Sequence, residues 1–254
     1  MRLLEDLNNA DFSLAAALPA AAAVAIAPAL AVPLAAAPSA LLIGNTRELW
    51  PRFVAAYRDD ASLRSARDPF DTFVEAKLAS VIQQRAVRFA HRAYDQAYVP
   101  MQRLAAAARL GVLCATQLVI HRRYGPWFSL RAIVAYEAPA DALVEAFTGC
   151  DARECQRRCQ PLFDHAMSGV RPRDVHEHTF DPRQPGTHEP TLATVANPTW
   201  RDWLAVRAAC STGTDWRFTD EQIIYHYTKD RRVIGTGMTL ADYSLYENTA
   251  AFER

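Results

Sequence analysis

A chain of 254 residues, half of them hydrophobic, is long enough to bury a substantial core as one large or two modest domains. Its 28 basic residues are matched by 28 acidic ones, so there is no basic surplus of the kind that advertises nucleic acid. Aromatic residues make up 10%, which excludes a disordered chain and points to a packed globule.

In chain order, the first feature is an uncharged run from 12 to 46. A membrane span needs roughly 20 apolar residues in unbroken helix, and Pro19, Pro28, Pro33 and Pro38 interrupt this one. Residues 1–38 therefore read as an Ala/Pro-rich extended segment packed on a domain of residues 39–254, with no membrane partner. A cleaved signal over 12–38 is the alternative: "AAAPSA" offers a cleavage site, but Glu5, Asp6 and Asp11 precede the apolar run where positive charge is expected.

"ALLIGN" (40–45) is a continuous apolar run, the mark of a buried strand, and Thr46 is an N-cap for a helix through "RELWPRFVAAYRDD". "DPFDTFVEAKLASVIQQ" predicts a helix with Phe70, Phe73, Val74 and Leu78 on one stripe. "AVRFAHRA" alternates weakly and predicts a strand carrying His91, and a helix beginning in "VPMQRLAAAARLGVLCA" stops near Gly111. In "LVIHRRYGPWF" (118–128) a short strand runs into a histidine, two arginines and a Tyr-Gly-Pro turn with two aromatics behind it. "WFSLRAIVAYEA" is the strand that follows, with Arg131 inside it, so the turn makes a hairpin or a sheet corner.

"APADALVEAFTGCDARECQRRCQPLFDHAMSG" predicts a helix leading into a cysteine cluster, and "VRPRDVHEHTFDPRQPGTHEPTLATVANP" an aperiodic surface excursion. Together they form a Cys/His-rich insertion at about 148–197. In "TWRDWLAVRAAC" Trp200, Trp203 and Leu204 share a helical face, and a last helix follows in "FTDEQIIYHYTKDRR" with Thr219 as N-cap. Strands and helices mixed without regular alternation predict an α+β sandwich of three layers at most. Five cysteines, an odd number with three clustered, are no disulfide framework for a chain of this length; they fit a reducing cytoplasm.

The stretch 111–130, "GVLCATQLVIHRRYGPWFSL", resembles a cobalamin-binding signature of epoxyqueuosine reductases and corrinoid reductive dehalogenases. "WRDWLAVRAACSTGTDWRFTDEQIIYHYTKDRR" and "FAHRAYDQAY" are similar to segments of the CblC-type cobalamin-processing family. The resemblance covers about 40–135 and 198–232. It implies a nitroreductase/flavin-reductase-like sandwich with a cobalamin-sized cavity holding base-off cobalamin. The chain departs from the pattern at Arg122, where a proline is favoured, at Cys114-Ala115-Thr116, and at Arg207, which falls four residues after Trp203 rather than three.

On that resemblance the cofactor contacts are His91, Tyr98, Thr116, Gln117, Ile120, His121, Tyr124, Gly125, Trp127, Phe128 and Trp203. Trp127 and Phe128 offer flat faces to a corrin edge, though both also suit an ordinary core pair. Arg131, Arg207 and Arg231, with Arg232 beside them, offer forked donors to the carboxylates of glutathione, the thiol co-substrate. Asp71 stands where a proton-donating carboxyl is expected, and also where a helix-start carboxylate is ordinary. Cys150, Cys155 and Cys159 look like a decayed iron–sulfur run; an intact cluster needs a ligand such as Cys210 or His165, and zinc with His176, His178 or His188 is a further option.

The function implied is removal of cobalamin's upper ligand, by reductive decyanation or by dealkylation onto glutathione, with a thiol or a flavoprotein as electron donor. A corrinoid-dependent reductase of a small organic molecule, a non-catalytic cobalamin chaperone, and a pocket drifted to flavin, heme or metal are the alternatives. A homodimer stays open.

Overall fold

The computed structural model describes residues 2–94, 97–140, 149–169 and 199–252. Within them the chain is mixed helix and strand, an α+β architecture. After helix α1 (Arg2–Asn9), strand β1 (Leu14–Pro19) pairs antiparallel along its whole length with β2 (Ser39–Asn45). Between them lie α2 (Ala20–Ile26) and a single 3-10 turn at Pro28–Leu30. The segment read as extended is thus a strand and a helix. Its prolines end the one and open the turn, positions where a missing N–H costs nothing.

β2 is buried at every residue, because it is central in the sheet and covered on both faces. Leu41 and Ile43 point into one core, Ala40 and Leu42 into the other, with the period of two that a pleated strand imposes. The first core is aromatic: Trp50 and Phe53 of α3 (Leu49–Asp59), Phe70 of α5 (Pro69–Ile82) and Tyr225 meet with ring centroids 4.9–6.4 Å apart. The short α4 (Ala61–Ser65) links α3 to α5. Asp68 accepts from Asp71 N and Pro69 takes the first turn of α5, so this helix begins where its sequence signals place it. α3 begins at Leu49 rather than at Thr46, whose hydroxyl instead bonds the Glu48 carboxylate at 3.2 Å.

Strand β3 (Val87–Phe89) ends before His91, which sits in the turn beyond it and not in a strand. A two-residue ladder, β4 (Ala93–Tyr94) with β5 (Ala97–Tyr98), leads to α6 (Met101–Ala107). Then β6 (Val112–Leu113) pairs with β7 (Val119–Ile120), and β8 (Ser129–Tyr136) inserts between β2 and β3, giving the order β1-β2-β8-β3. The stretch 121–128 is therefore a sheet corner, not a hairpin: β7 pairs backwards with β6 while β8 departs into the main sheet.

The cysteine segment is two helices, α7 (Ala152–Arg158) and α8 (Gln160–Ser168), the latter packed on α9 (Trp200–Ala208). α10 (Asp220–Thr228) starts at its predicted cap, Thr219 accepting from Gln222 N at 3.2 Å. It is not the last helix. α11 (Leu240–Phe252) follows, opened by Thr219-like chemistry at Thr239, which exchanges bonds with Asp242. The Pro- and His-rich excursion, and the helix expected over 141–148, lie outside the described residues.

The corner is closed by His121 and Gly125, which exchange both backbone bonds at 2.8–2.9 Å. Gly125 has φ +54°, and a Cβ there would lie 1.8 Å from the carbonyl oxygen of Thr212. Substituting G125A should lower stability by roughly 3 kcal/mol, or about 6–12 °C in Tm for a chain of this size. An unchanged melting curve would show that this contact does not hold the corner.

Candidate functional site

A half-open cavity of about 620 Å³ opens beneath the corner, within the usual range for small-molecule sites. Its walls come from every part of the chain that the corner organises. Pro126, Phe128 and the first three residues of β8 form one side, and Leu118 and Val119 of the β7 arm another. Val99, Met101 and Gln102 at the start of α6 line it too, as do Arg207, His226 and Lys229.

Arg131 is the centre of its polar chemistry. The pairing of β8 with β2 skips this residue, passing from Ala132 opposite Ile43 to Leu130 opposite Gly44, and this break in the strand alternation lets the guanidinium turn to the Phe70 side at the cavity wall, almost wholly buried. Nε donates to Asn45 Oδ1 of β2 at 2.6 Å, Nη1 to Asp71 Oδ1 of α5 at 3.4 Å, and the plane lies over Phe70 at 4.6 Å. Nη2 is buried and has no hydrogen-bond partner. Burial pulls the pKa of this group down, with Asp71 and Asp68 opposing; a guanidinium nonetheless stays charged.

Asp71 sits between Arg131 and His91, whose Nδ1 lies 3.9 Å from Oδ1. His91 is held from its other side by Glu75 at 2.6 Å, and Arg92 clamps the same carboxylate through two nitrogens. Burial alone would raise the Glu75 carboxyl; the His91 and Arg92 bonds outweigh it and hold the group below its ordinary range. Lys229 reaches Asp68 at 2.9 Å, and Asp68 is likewise held low because Lys229 and its bonds outweigh burial.

His226 is packed among Phe70, Phe218 and Trp50, with Nε2 3.3 Å from Gln222 Nε2, while Gln222 Oε1 is buried without a partner. Burial, then the nearby Arg131, Lys229 and Arg207, push His226 well below its ordinary pKa, so it presents a neutral imidazole. Arg207 braces the corner: its nitrogens donate to the carbonyls of Pro126 and Phe128 at 2.6–2.9 Å, and its plane covers Trp127 and Phe218.

Of the residues expected at the site, the structure brings together Asp71, His91, Tyr98, Phe128, Arg131 and Arg207 on this one cavity. The rest of the corner turns inward. Trp127 is 1% exposed and packs edge-on to Phe218 in the aromatic core, so its face is not available to a ligand. His121 stacks on Tyr124, and its Nδ1 accepts from the backbone N–H groups of Arg123 and Tyr124, so it closes the turn. Tyr124 in turn meets Trp216 edge-on, and Ile120 is 1% exposed.

Thr116 is buried against the Cys114 thiol at 3.0 Å, and Gln117 is a left-handed turn residue reaching the Ala115 carbonyl; neither lines the cavity. Gly125 serves the backbone contact with Thr212. Trp203 packs on Phe163 of α8, and Arg231 is spent on the carbonyls of Arg64 and Arg67. His226 in the last turn of α10 and Lys229, the left-handed residue that caps it, were not singled out from sequence. The available signal was their place at a helix C-terminus, where basic residues are favoured.

All five cysteines are free thiols. Among the described residues no group of three or more His, Cys, Asp or Glu is placed to hold a metal ion, and His176, His178 and His188 lie outside the described residues. Among the described residues, too, no helix is long and apolar enough to cross a membrane.

No family model matches the chain, and no curated protein matches it. Among solved structures it is similar to a B12-trafficking protein CblC of C. elegans, a homologue of human MMACHC, at 16% identity over 82% of this chain and 93% of that one, with a TM-score of 0.43.

His121 gives the corner a pH dependence. Burial, with Arg122 and Arg123 adding to it, depresses its pKa from 6.5 to about 4. The unfolded chain binds this proton more readily than the folded one, so stability is full above about pH 6.5 and falls as pH drops toward 4. In H121N the amide oxygen replaces Nδ1 as a non-titrating acceptor. Urea unfolding at pH 7 and pH 4.5 should show a smaller loss in H121N than in the parent chain. Equal losses would mean that the turn does not depend on this nitrogen.

Proposed function

We propose that the protein binds a cobalamin in the cavity beneath the corner and removes its upper axial ligand with an anionic thiol. The observation that carries the proposal is the buried, unpartnered Nη2 of Arg131, a residue that lines the cavity. Leaving such a donor unmet costs about 1–3 kcal/mol, and an anionic oxygen from a ligand meets it at once.

The chemistry of the lining supports this reading for each molecule. Val99, Met101, Val119, Phe128 and Leu130 form an apolar wall suited to the face of a macrocycle. Arg131, Arg207 and Lys229 converge on the polar side, and suit the phosphate of the cofactor's nucleotide tail or the carboxylates of glutathione. The motifs that resemble cobalamin-binding segments supply part of these walls, through Leu118 to Phe128 and through Arg207 to Lys229.

When bound, the cofactor supplies a cobalt centre whose upper bond can be broken reductively or by a nucleophile. The chain's own residues do the rest. Arg131, held by Asn45 and Asp71, fixes a carboxylate of the thiol, and the three cations favour its thiolate over its thiol. His226, neutral among those cations, is a polar contact that does not add to the charge. Asp71, already committed to Arg131 and facing His91, orients the guanidinium, a role closer to the geometry than proton donation.

Visible absorption tests this directly. Hydroxocobalamin titrated into the protein should give a saturable spectral shift, and methylcobalamin with glutathione should lose its methyl–cobalt absorption. R131Q removes a charged donor worth about 1.5–3 kcal/mol, so half-saturation by glutathione should rise about 10- to 100-fold while the hydroxocobalamin shift persists. Absence of a spectral change with every cobalamin overturns the cofactor; a shift without turnover reduces the protein to a carrier.

A further inference from the structure

The five cysteines come from separate parts of the chain, and Cys150, Cys114 and Cys159 lie near enough to Cys155 to add to the burial that raises its thiol. Burial first, then Cys150 and Cys159, raise Cys210 just past α9 likewise. Local packing relates these segments. Gly149 is packed against Val112 of β6, so close that a Cβ would lie 3.2 Å from its Cγ1, and this sets the cysteine segment beside the Cys114 loop. α8 then packs on α9 and brings Cys210 near.

Within the group, one pair is set apart by local structure. Asp151 caps α7, its carboxylate accepting from Arg153 N at 2.7 Å and Glu154 N at 2.9 Å. Cys150 is then the residue before the cap and Cys155 the fourth of the helix. Side chains at those two positions meet across a helix start; when apolar they form a hydrophobic staple. Here both are thiols, and Cys150 is among the groups that raise the pKa of Cys155. Cys150 is partly exposed and Cys155 is buried.

We propose that Cys150 and Cys155 are a redox-active dithiol that exchanges with small-molecule disulfides, closing a covalent staple across the start of α7. The Cys150 thiolate attacks the disulfide RS–SR, its S–S bond breaks, and one RS⁻ leaves and takes a proton. Cys155 gives up its proton and attacks Cys150 Sγ, expelling the second RSH. The protein pair loses two protons and two electrons, and the small disulfide gains both as two thiols.

Burial and the neighbouring cysteines push the Cys155 thiol up to about 12, so the second step accelerates with rising pH. The inference stands independently of the cofactor reading, because it concerns only the protein's thiols.

The test equilibrates the full chain with mixtures of reduced and oxidised glutathione, quenches by alkylation under denaturing conditions, and counts thiols by intact mass. Two of the five should disappear in a single transition. Trypsin cleavage after Arg153, which lies between the partners, should give two peptides joined through Cys150 and Cys155. C155S should stop at a glutathione adduct on Cys150, and C150S should keep four alkylatable thiols. Five free thiols under excess oxidised glutathione overturn the proposal, as does a bridge between any other pair. Stoichiometric zinc in the purified protein that protects all five thiols overturns it too.

Discussion

The structure turns on one buried guanidinium. Arg131 stands in a strand that is otherwise packed on both faces, and removing such a charge from water costs several kcal/mol unless it is well partnered. Asn45 from the neighbouring strand, Asp71 from the helix above and the face of Phe70 supply most of that partnership. One amino group is left over, on a residue that lines the cavity. The same contacts that tie β2, β8 and α5 together therefore also define what the cavity can bind.

The corner between β7 and β8 makes room for that arrangement. Had the two strands paired as a hairpin, Phe128 and Ser129 would have faced Val119 across a ladder with no space between them. Because β7 turns back on β6, the arms diverge and a chamber opens between them. The residues at the bend divide their labour: His121, Tyr124, Gly125 and Trp127 lock it from inside, while Leu118, Val119, Pro126 and Phe128 show a surface to the chamber. Arg207 joins the two roles, bonding the corner's carbonyls and lining the cavity at once.

Much of the fold was legible where sequence signals act locally. β2 announced itself by a continuous apolar run, α5 by the stripe of Phe70, Phe73, Val74 and Leu78, and α10 by Thr219. α11 was equally legible in Thr239 and Asp242, a cap pattern that went unread. β1 and α2 were hidden by alanine, which fits strand, helix and extended chain alike, and by prolines that fall at joints rather than interrupting elements. The site was legible in part. Chemistry marked Arg131, Asp71, His91 and Arg207, but nothing in a sequence says which side of a bend faces a cavity. The same conspicuousness drew attention to His121 and Trp127, whose rings are used up in packing. His226 and Lys229 were silent because only the fold turns their helix face toward the chamber.

The central claim is that the spare donor of Arg131 exists to meet a ligand's negative charge. A crystal structure of the protein with hydroxocobalamin and glutathione examines it most directly. It should show the corrin against Phe128 and Val119, and an anionic oxygen within hydrogen-bond distance of Arg131 Nη2. Ligands bound elsewhere, with that nitrogen satisfied by an ordered water alone, would contradict the account.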